Sequence, residues 1–252
     1  MENKKTEVDI ILPNYNSADF IDRTIKSVLN QSYTKWRLIL VDDFSNTETK
    51  NKIKRYEKFK KIKIYWLKKN KGAAYCRNFA IKNSNSNYIA FLDSDDIWGK
   101  NKLKEQIKFM KKNNYCFTCT NYKTIGLKQK VITPPKKISF NKFINNTSIA
   151  TSTMIVKRKI SKGVRFIDTK ICEDYFFKCQ ILKKIKFAYC LNRYLTEYTI
   201  RKDSLQSNKI RNFYWIWKIN TKYNKLNFYD NLISLISISL NSLKKYGLKK
   251  YK

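Results

Sequence analysis

The sequence predicts an α/β fold built on a mainly parallel, doubly wound sheet with helices on both faces. Short, continuous apolar segments alternate with amphipathic segments through the first half of the chain, which is the order expected of successive β-α-β units. The apolar segments do not alternate polar with apolar residues, as is typical of parallel strands buried on both faces. At 252 residues the chain suits one large domain, or one domain with a terminal extension.

The first strand and helix show this pattern clearly. Residues 8–13 form an apolar, β-branched run that ends at a proline. Ser17 is then placed to cap a helix whose apolar residues recur at helical spacing. The same order continues with predicted strands at 36–41, 62–67, 88–92 and 115–120, and with predicted helices at 47–59, 73–82 and 100–112.

The second half of the chain is less regular. We expect a loop or hairpin at 126–137, a strand at 153–157, a helix at 173–183 and a strand at 187–191. From residue 211 an aromatic-rich segment leads into a helical tail. The apolar run of this tail is interrupted by serines and is too short and too polar to span a bilayer.

The charge balance predicts an anionic partner. The chain has 54 Lys and Arg residues against 19 Asp and Glu residues, a net charge of +35, which favours nucleic acid, an acidic membrane surface or a phosphorylated substrate. The alternative is compositional drift, because Lys, Asn and Ile are abundant throughout the sequence.

The lack of histidine restricts the chemistry. Without His, no Ser-His or Cys-His nucleophile pair can form, and a zinc site at the CxxC of Cys116 and Cys119 is not expected. The six cysteines have no disulfide-framework spacing, and the polar start of the chain predicts no signal peptide. We therefore expect buried thiols in a reducing cytoplasm, and chemistry that depends on carboxylates, cations and a metal ion.

Polar and acidic residues follow each predicted strand in the first half. Ligands of doubly wound sheets bind beyond the carboxyl ends of the strands. The chain has five glycines and no GxGxxG or P-loop motif, so a glycine-rich phosphate cradle is excluded. The strand-end residues are 13–16, 42–43, 70–72 and 93–96.

Three acids crowd into one of these strand ends. Asp93, Asp95 and Asp96 carry like charges that need a compensating cation. Carboxylates suit Mg²⁺ or Mn²⁺, which bind one or two of them together with substrate phosphates. Asp96 could instead favour the N-terminus of the following helix.

Five ordered motifs give the sequence a resemblance to family 2 glycosyltransferases of the GT-A fold, especially bacterial enzymes of surface-polysaccharide (teichuronic acid-type) synthesis. The resemblance covers about residues 7–207. It implies a GT-A domain at 1–207, with a nucleotide-binding half at about 7–97 and an acceptor half at about 98–207, and a helical tail at 208–252. The motifs are ILPNYN, LVDDFSNT, NKGAAYCRN, FLDSDD and CEDYFF.

The resemblance places the uracil pocket at the first two strand ends. It implies that Pro13 and Tyr15 line the pocket and that Asp43 accepts a hydrogen bond from the uracil N–H. Asp42 is expected to brace the loop. Alternatively, Tyr15 is a turn aromatic, and Asp42 or Asp43 caps the helix near Thr47.

Further donor contacts are implied at the third and fourth strand ends. Asn70 and Arg77 would contact the base or the diphosphate, although Arg77 could be a structural ion-pair partner. Asp93 would hold the ribose and approach the metal through water, and Asp95 would ligate the metal directly. Ser94 is assigned to the donor site with them.

The ED pair of the last motif supplies the implied catalytic base. Asp174 would remove a proton from the acceptor hydroxyl as it attacks C1 of the sugar, which gives inversion. Glu173 and Asp174 could also simply favour a helix N-terminus.

One position departs from the family pattern. Arg201 stands where these enzymes often carry a histidine that approaches the metal. Arginine cannot ligate a metal but can clamp phosphate, so Arg201 and Ser204 are expected to contact the donor diphosphate.

The resemblance therefore implies a metal-dependent inverting glycosyltransferase that moves a sugar from a nucleotide-sugar, most simply a UDP-sugar, to a glycan or lipid-linked acceptor. We expect a protein that is cytoplasmic or peripheral on the cytoplasmic face of the plasma membrane, with a tail that either docks on anionic lipid or packs on the core. A nucleic-acid-binding module, an inactive GT-A scaffold and a nucleotidyltransferase are the alternatives; no nucleic-acid partner is expected.

Overall fold

A computed structural model describes residues 6–127, 129–169, 171–201 and 209–246. Its strands join in a single ten-stranded sheet. The strands are β1 (Val8–Asn14), β2 (Trp36–Asp42), β3 (Ile62–Trp66), β4 (Tyr88–Phe91), β5 (Ile97–Trp98), β6 (Phe117–Gly126), β7 (Val131–Ile132), β8 (Lys137–Ile138), β9 (Ile155–Lys157) and β10 (Ala188–Ile200).

The longer strands all run in one direction. The order across the sheet is β3-β2-β1-β4-β9-β6-β10-β5, with β7 on β6 and β8 on β10. The pairs β1–β2, β2–β3, β1–β4 and β6–β10 are parallel, whereas the short strands β5, β7, β8 and β9 are antiparallel to their neighbours. The predicted mainly parallel sheet is confirmed, and its second half is mixed because β9 lies between β4 and β6.

Helices cover both faces of the sheet. The helices are α1 (Ala18–Leu29), α2 (Thr47–Lys54), α3 (Gly72–Lys82), α4 (Lys102–Lys112), α5 (Phe140–Asn146), α6 (Arg158–Ser161), α7 (Glu173–Lys184), α8 (Lys209–Ile219) and α9 (Phe228–Tyr246). Successive side chains of β1 enter different apolar clusters, since a strand directs alternate residues to opposite faces. Ile10 belongs to the cluster with α1 and α4, and Ile11 belongs to the cluster with α3 and α7.

A buried carboxylate ties the first strands together. Asp9 has no exposed surface. It accepts hydrogen bonds from Arg37 of β2 at 2.9 Å and from the Ser84 hydroxyl at 2.7 Å, and from the backbone N–H of Asn85 and Ser86 at 2.9 and 3.0 Å. Burial would raise the pKa of Asp9, but these partners hold it below its ordinary value.

The tail packs on α5 and α7 through polar side chains. Asn220 is fully buried in a π-helical turn between α8 and α9. Its Oδ1 accepts from the Tyr175 hydroxyl of α7 at 2.7 Å, and its Nδ2 donates to Asn231 and Ser234 at 3.1 and 3.2 Å. Across the part of the chain that the structure describes, no helix combines the length and apolar character needed to cross a membrane.

Candidate active site

Polar residues from several strands meet at one edge of the sheet. Because β1, β2 and β4 are parallel, their carboxyl ends lie together, and the segments after them converge there. This edge therefore contains the strand-end residues that the sequence singled out.

Asp42 braces the first two strand ends, as expected. Its Oδ1 accepts a hydrogen bond from Asn14 Nδ2 at 2.8 Å, and its Oδ2 accepts from the Ser45 backbone N–H at 3.0 Å. Asn14 also donates to the Ser45 hydroxyl at 3.2 Å. The loops after β1 and β2 are thus held as one unit.

Asp43 holds the start of α3. Its two carboxylate oxygens accept from the backbone N–H of Lys71 at 2.7 Å and of Gly72 at 2.8 Å. The φ of Gly72, the first residue of α3, is +82°, a conformation that glycine adopts readily. Asn70 donates to the Asp43 carbonyl at 3.3 Å. The alternative that Asp43 caps the helix near Thr47 is wrong.

That helix has a different cap. Asn46 accepts from the Thr49 backbone N–H at 2.9 Å, so neither Asp42 nor Asp43 is needed at the start of α2. Asparagine is a preferred residue at this position.

Two aromatic rings are exposed beside this edge. Pro13 is buried in β1 opposite Val41, and the Tyr15 side chain that follows it is 53% exposed. Phe44, which the sequence interpretation did not assign to the site, is 51% exposed and has a φ of +63°. A positive φ is uncommon for residues other than glycine. This feature is visible only in the structure, so the sequence could not have singled out Phe44.

Arg77 joins the acids of the two halves of the domain. Its Nη2 lies 2.7 Å from Asp93 Oδ1 and its Nη1 lies 2.7 Å from Glu173 Oε1, and Arg77 is 6% exposed. The structure therefore agrees with the alternative interpretation, in which Arg77 is a structural ion-pair partner. Any contact with a donor would have to share the guanidinium with these two carboxylates.

Asp95 is compensated by a second arginine. Arg201 Nε lies 3.1 Å from Asp95 Oδ2, and Arg23 donates to the Asp95 carbonyl at 3.1 Å. Burial, together with the neighbouring Asp93 carboxylate, raises the pKa of Asp95 to about 6, although Arg201 opposes the shift. Ser94 contributes its carbonyl, which accepts from the Thr24 hydroxyl at 3.0 Å.

Asp96 does not act at a helix N-terminus. It is 1% exposed, and its carboxylate accepts from the Ser152 hydroxyl at 2.5 Å and from the Thr199 backbone N–H at 2.8 Å. Burial raises its pKa well above the ordinary value, and the Asp95 and Asp93 carboxylates add to the shift. The side chain links the acidic turn to β10, so the helix-terminus interpretation is wrong.

Asp174 is held by two partners that the sequence interpretation missed. Its Oδ2 lies 2.6 Å from the Lys178 ammonium and 2.8 Å from the Thr151 hydroxyl. Burial would raise the pKa of Asp174, but Lys178, Arg77 and Thr151 together lower it to about 2. Lys178 is four residues along the same helix, and its charge spacing could have indicated the pair.

Glu173 has a different environment. Burial raises its pKa above the ordinary value; the ion pair with Arg77 opposes this effect, and the Asp174 carboxylate adds to it. The two adjacent acids therefore have separate cationic partners, Arg77 for Glu173 and Lys178 for Asp174.

The acidic turn fits a divalent metal that is shared with a substrate. Asp93 and Asp95 retain side-chain exposures of 26% and 18%. Among the described residues, no group of three or more His, Cys, Asp or Glu could hold a metal by itself. Two accessible carboxylates match the usual protein contribution to a Mg²⁺ or Mn²⁺ ion that also binds phosphates. Ser204 lies outside the described residues.

Comparison with known proteins identifies a family and relatives that this chain resembles. Residues 9–176 match the family described as glycosyl transferase family 2. The chain is 32% identical over 250 residues to the putative teichuronic acid biosynthesis glycosyltransferase TuaG of Bacillus subtilis (strain 168), covering 97% of this chain and 99% of that protein.

A second relative and a solved structure agree with this match. The Escherichia coli UDP-Glc:alpha-D-GlcNAc-diphosphoundecaprenol beta-1,3-glucosyltransferase WfgD is 34% identical over 247 residues, covering 97% of this chain and 94% of that protein. The mannosyltransferase PcManGT of Pyrobaculum calidifontis, in complex with GDP-Man and Mn²⁺, superimposes with a TM-score of 0.71 at 15% identity, covering 95% of this chain and 70% of the other. That structural similarity shows a shared GT-A fold.

Proposed function

The chain belongs to glycosyl transferase family 2, and we propose that it moves a sugar from a UDP-sugar to a hydroxyl group of a glycan or lipid-linked acceptor, with inversion at C1. We further propose that the product is part of a cell-surface polysaccharide and that transfer occurs at the cytoplasmic face of the membrane. The names of TuaG and WfgD support this assignment, since they specify teichuronic acid biosynthesis for one relative, and UDP-Glc with alpha-D-GlcNAc-diphosphoundecaprenol for the other.

The observation that carries the proposal is the double ion pair of Arg77. One guanidinium binds Asp93 of the acidic turn and Glu173 of α7 at 2.7 Å each. Asp95, two residues after Asp93, and Asp174, directly after Glu173, would thereby contribute to one site. A donor held by the acidic turn would then present its sugar toward the base on α7.

The nucleotide would bind beside β1 and β2. Pro13 and the exposed ring of Tyr15 would pack on the uracil base, and Asp43 would accept from its N–H while retaining its bonds to α3. A carboxylate has about four lone-pair positions, so further acceptance is possible after two backbone bonds. Asn70 would contact the base or the diphosphate.

Asp95 and Asp93 would hold Mg²⁺ or Mn²⁺. Bound there, the metal would neutralise the charge that develops on the departing diphosphate. Arg201, which lies 3.1 Å from Asp95, would bind the diphosphate as it leaves. Chelation with EDTA should therefore abolish turnover, and added Mn²⁺ should restore it; full activity after exhaustive chelation would remove the metal from the mechanism.

Asp174 would act as the general base. With a pKa of about 2, it is ionised at neutral pH and is a weak base, so it would accept the acceptor proton only as the hydroxyl attacks C1. Both described hydrogen bonds are made to Oδ2. Oδ1 is therefore the oxygen that would take the proton.

A panel of nucleotide-sugars tests the donor assignment. We expect UDP-sugars with Mn²⁺ to raise the melting temperature and to be hydrolysed slowly, whereas GDP-sugars should do neither. The Asp95→Asn variant should lose the UDP-dependent shift. Stabilisation by GDP-mannose alone would replace the proposed donor class, and no stabilisation by any nucleotide-sugar would contradict the function.

A further inference from the structure

The last helix exposes a row of apolar side chains, while its buried face carries polar side chains beside Ile238. In α9, Asn231 and Ser234 are fully buried. Ser234 donates to the Ile144 carbonyl of α5 at 2.6 Å, and Asn231 bonds to Asn220. The usual surface helix shows the opposite arrangement, with apolar residues turned toward the core.

The exposed apolar residues form a continuous stripe. They recur at intervals of three or four residues and are between 37% and 75% exposed. At 3.6 residues per turn this spacing keeps them on one side of α9, opposite Asn231 and Ser234, over about 21 Å. We call this set the outward stripe: Tyr229, Leu232, Ile233, Ile236, Leu240 and Leu243.

A row of exposed apolar side chains on a folded protein marks an interaction surface. The charge around the outward stripe indicates the partner. Residues 209–246 contain seven Lys or Arg residues and one acid, Asp230. Lys218, Lys222, Lys225 and Lys244 are exposed.

An apolar helix face within a basic segment is the arrangement expected of a tail that lies on an anionic membrane. A second copy of this chain would bring the same positive charge against itself, which disfavours a dimer through this face. Tyr214 and Phe228, at 58% and 62% exposure, add aromatic side chains of the type enriched at the membrane–water interface.

We propose that the outward stripe inserts into the headgroup region of a membrane rich in anionic lipid, with α9 parallel to the surface and the lysines on lipid phosphates. The proposal deepens the proposed function, because it presumes an acceptor that is anchored in the same membrane. It requires no spanning helix.

The tail connects this surface to the active site. Asn220 of the tail accepts from Tyr175 at 2.7 Å, and Tyr175 follows Asp174 directly on α7. The ring of Phe176, also on α7, contacts Tyr223 with 4.9 Å between centroids. A membrane bound to the outward stripe would therefore lie on the outer side of the tail, whose inner side contacts the helix that carries Asp174.

Vesicle sedimentation of the full chain tests the proposal. We compare phosphatidylglycerol-containing vesicles with phosphatidylcholine vesicles, using the wild type, the double variant Ile236→Ser/Leu240→Ser, and the control Val131→Ser, which changes a residue of 56% exposure on β7. We expect the wild type and the control to bind anionic vesicles. The double variant should bind at least about tenfold more weakly, since two apolar side chains would no longer insert.

The remaining measurements separate this proposal from the proposed function. Stabilisation by UDP-sugar and transfer to a water-soluble acceptor should be equal in the wild type and the double variant. Unchanged vesicle binding by the double variant, or no wild-type binding at low salt, would overturn the membrane proposal. A wild-type dimer that the double variant loses would also overturn it and assign the stripe to a second copy. Failure of the wild type to bind any UDP-sugar would instead count against the donor assignment.

Discussion

The Nζ atom of Lys178 lies 2.6 Å from Oδ2 of Asp174, one turn along the same helix. Lys178 is 2% exposed, so the pair is largely withdrawn from water. The ammonium fixes the rotamer of the proposed base and keeps it ionised. It also makes the carboxylate a weak base. The carboxylate would therefore take the proton of the acceptor hydroxyl only as that hydroxyl attacks the sugar.

Substitution of the proposed base should separate binding from chemistry. Asp174→Asn keeps the side-chain size but cannot accept the proton, so we expect kcat to fall by about 10²- to 10⁴-fold. Affinity for the UDP-sugar should stay within about twofold, because a base acts mainly in the transition state. Single-turnover transfer and calorimetric titration measure the two quantities.

Glu173→Gln is the matched control for this substitution. It removes the adjacent carboxylate, whose partner is Arg77 rather than Lys178, and its effect on kcat should be milder. Transfer by folded Asp174→Asn within a few-fold of the wild type would leave Asp174 with only a structural role.

Removal of the lysine should change the pH dependence of turnover. In Lys178→Met, burial still raises the pKa of Asp174 while the main opposing charge is lost. We therefore expect kcat, at saturating donor and metal, to fall by about tenfold or more between pH 7.5 and pH 5 relative to the wild type.

Lys178→Arg retains the positive charge. The decrease of its kcat at acidic pH should therefore stay close to that of the wild type. The melting temperature of each variant shows whether it is folded. A Lys178→Met profile parallel to the wild-type profile would rule out control of the base by this lysine.

Donor binding should weaken in mild acid. Asp95 has a pKa of about 6 in the folded chain, and its protonated form is a poor ligand for a cation. Metal-dependent affinity for a UDP-sugar should fall below about pH 6, by up to about tenfold per pH unit for a single proton. A UDP-sugar is the required probe, since the terminal phosphate of UDP titrates near pH 6 itself.

The comparison variant is Asp95→Asn, which should bind weakly with little pH dependence over the same interval. Calorimetric titrations at pH 5, 6 and 7 give the affinities. Constant wild-type affinity from pH 7 to pH 5 would show that Asp95 is not the titrating metal ligand.

Asp9 should stabilise the first strands of the sheet. Its folded-state pKa lies below the ordinary value, so its contribution is fully present above about pH 4 and is lost as the pH falls through the folded pKa. Asp9→Asn removes the negative charge that Arg37 and the backbone N–H groups face. The variant should lower the free energy of unfolding by about 3 kcal/mol at pH 7.

The more exposed pair of Arg55 and Asp22, at 60% and 33% side-chain exposure, provides the control; Asp22 also accepts from the Tyr56 hydroxyl at 2.9 Å, a bond that asparagine can keep. Asp22→Asn should cost less than about 1 kcal/mol. Urea titrations of both variants give the comparison, and equal losses would mean that burial of Asp9 adds nothing.

The sequence predicts the regular half of this fold well and the irregular half less well. Strands β1 to β4 are continuous apolar runs, so their positions are confirmed within one or two residues. β10 was expected to end at residue 191 but continues to Ile200; its register against β6 shifts twice after Leu191, which breaks the side-chain alternation. α2 ends at Lys54 instead of residue 59, and α5 was not predicted.

The residues of the candidate site were also predicted only in part. Motif residues such as Asp93 and Asp174 could be located from the sequence because they end strands or begin a helix. Of the partners that set their charge, Arg77 and Thr151 come from distant segments of the chain. Lys178 lies one turn along the same face of α7, so its spacing could have been recognised. The outward stripe was hidden for another reason: hydrophobicity alone would have buried Ile236 and exposed Asn231.

The two bonds of Asp96 have a consequence for recombining this enzyme with its relatives. Ser152 and Thr199 are 56 and 103 residues away from Asp96 in the chain, yet they shape the turn that carries Asp95. A chimera that exchanges everything after residue 97 would inherit the acidic turn from one parent and its supports from another. Such hybrids should keep the shape of this turn only when the incoming segment supplies a hydroxyl at position 152 and a backbone N–H at position 199.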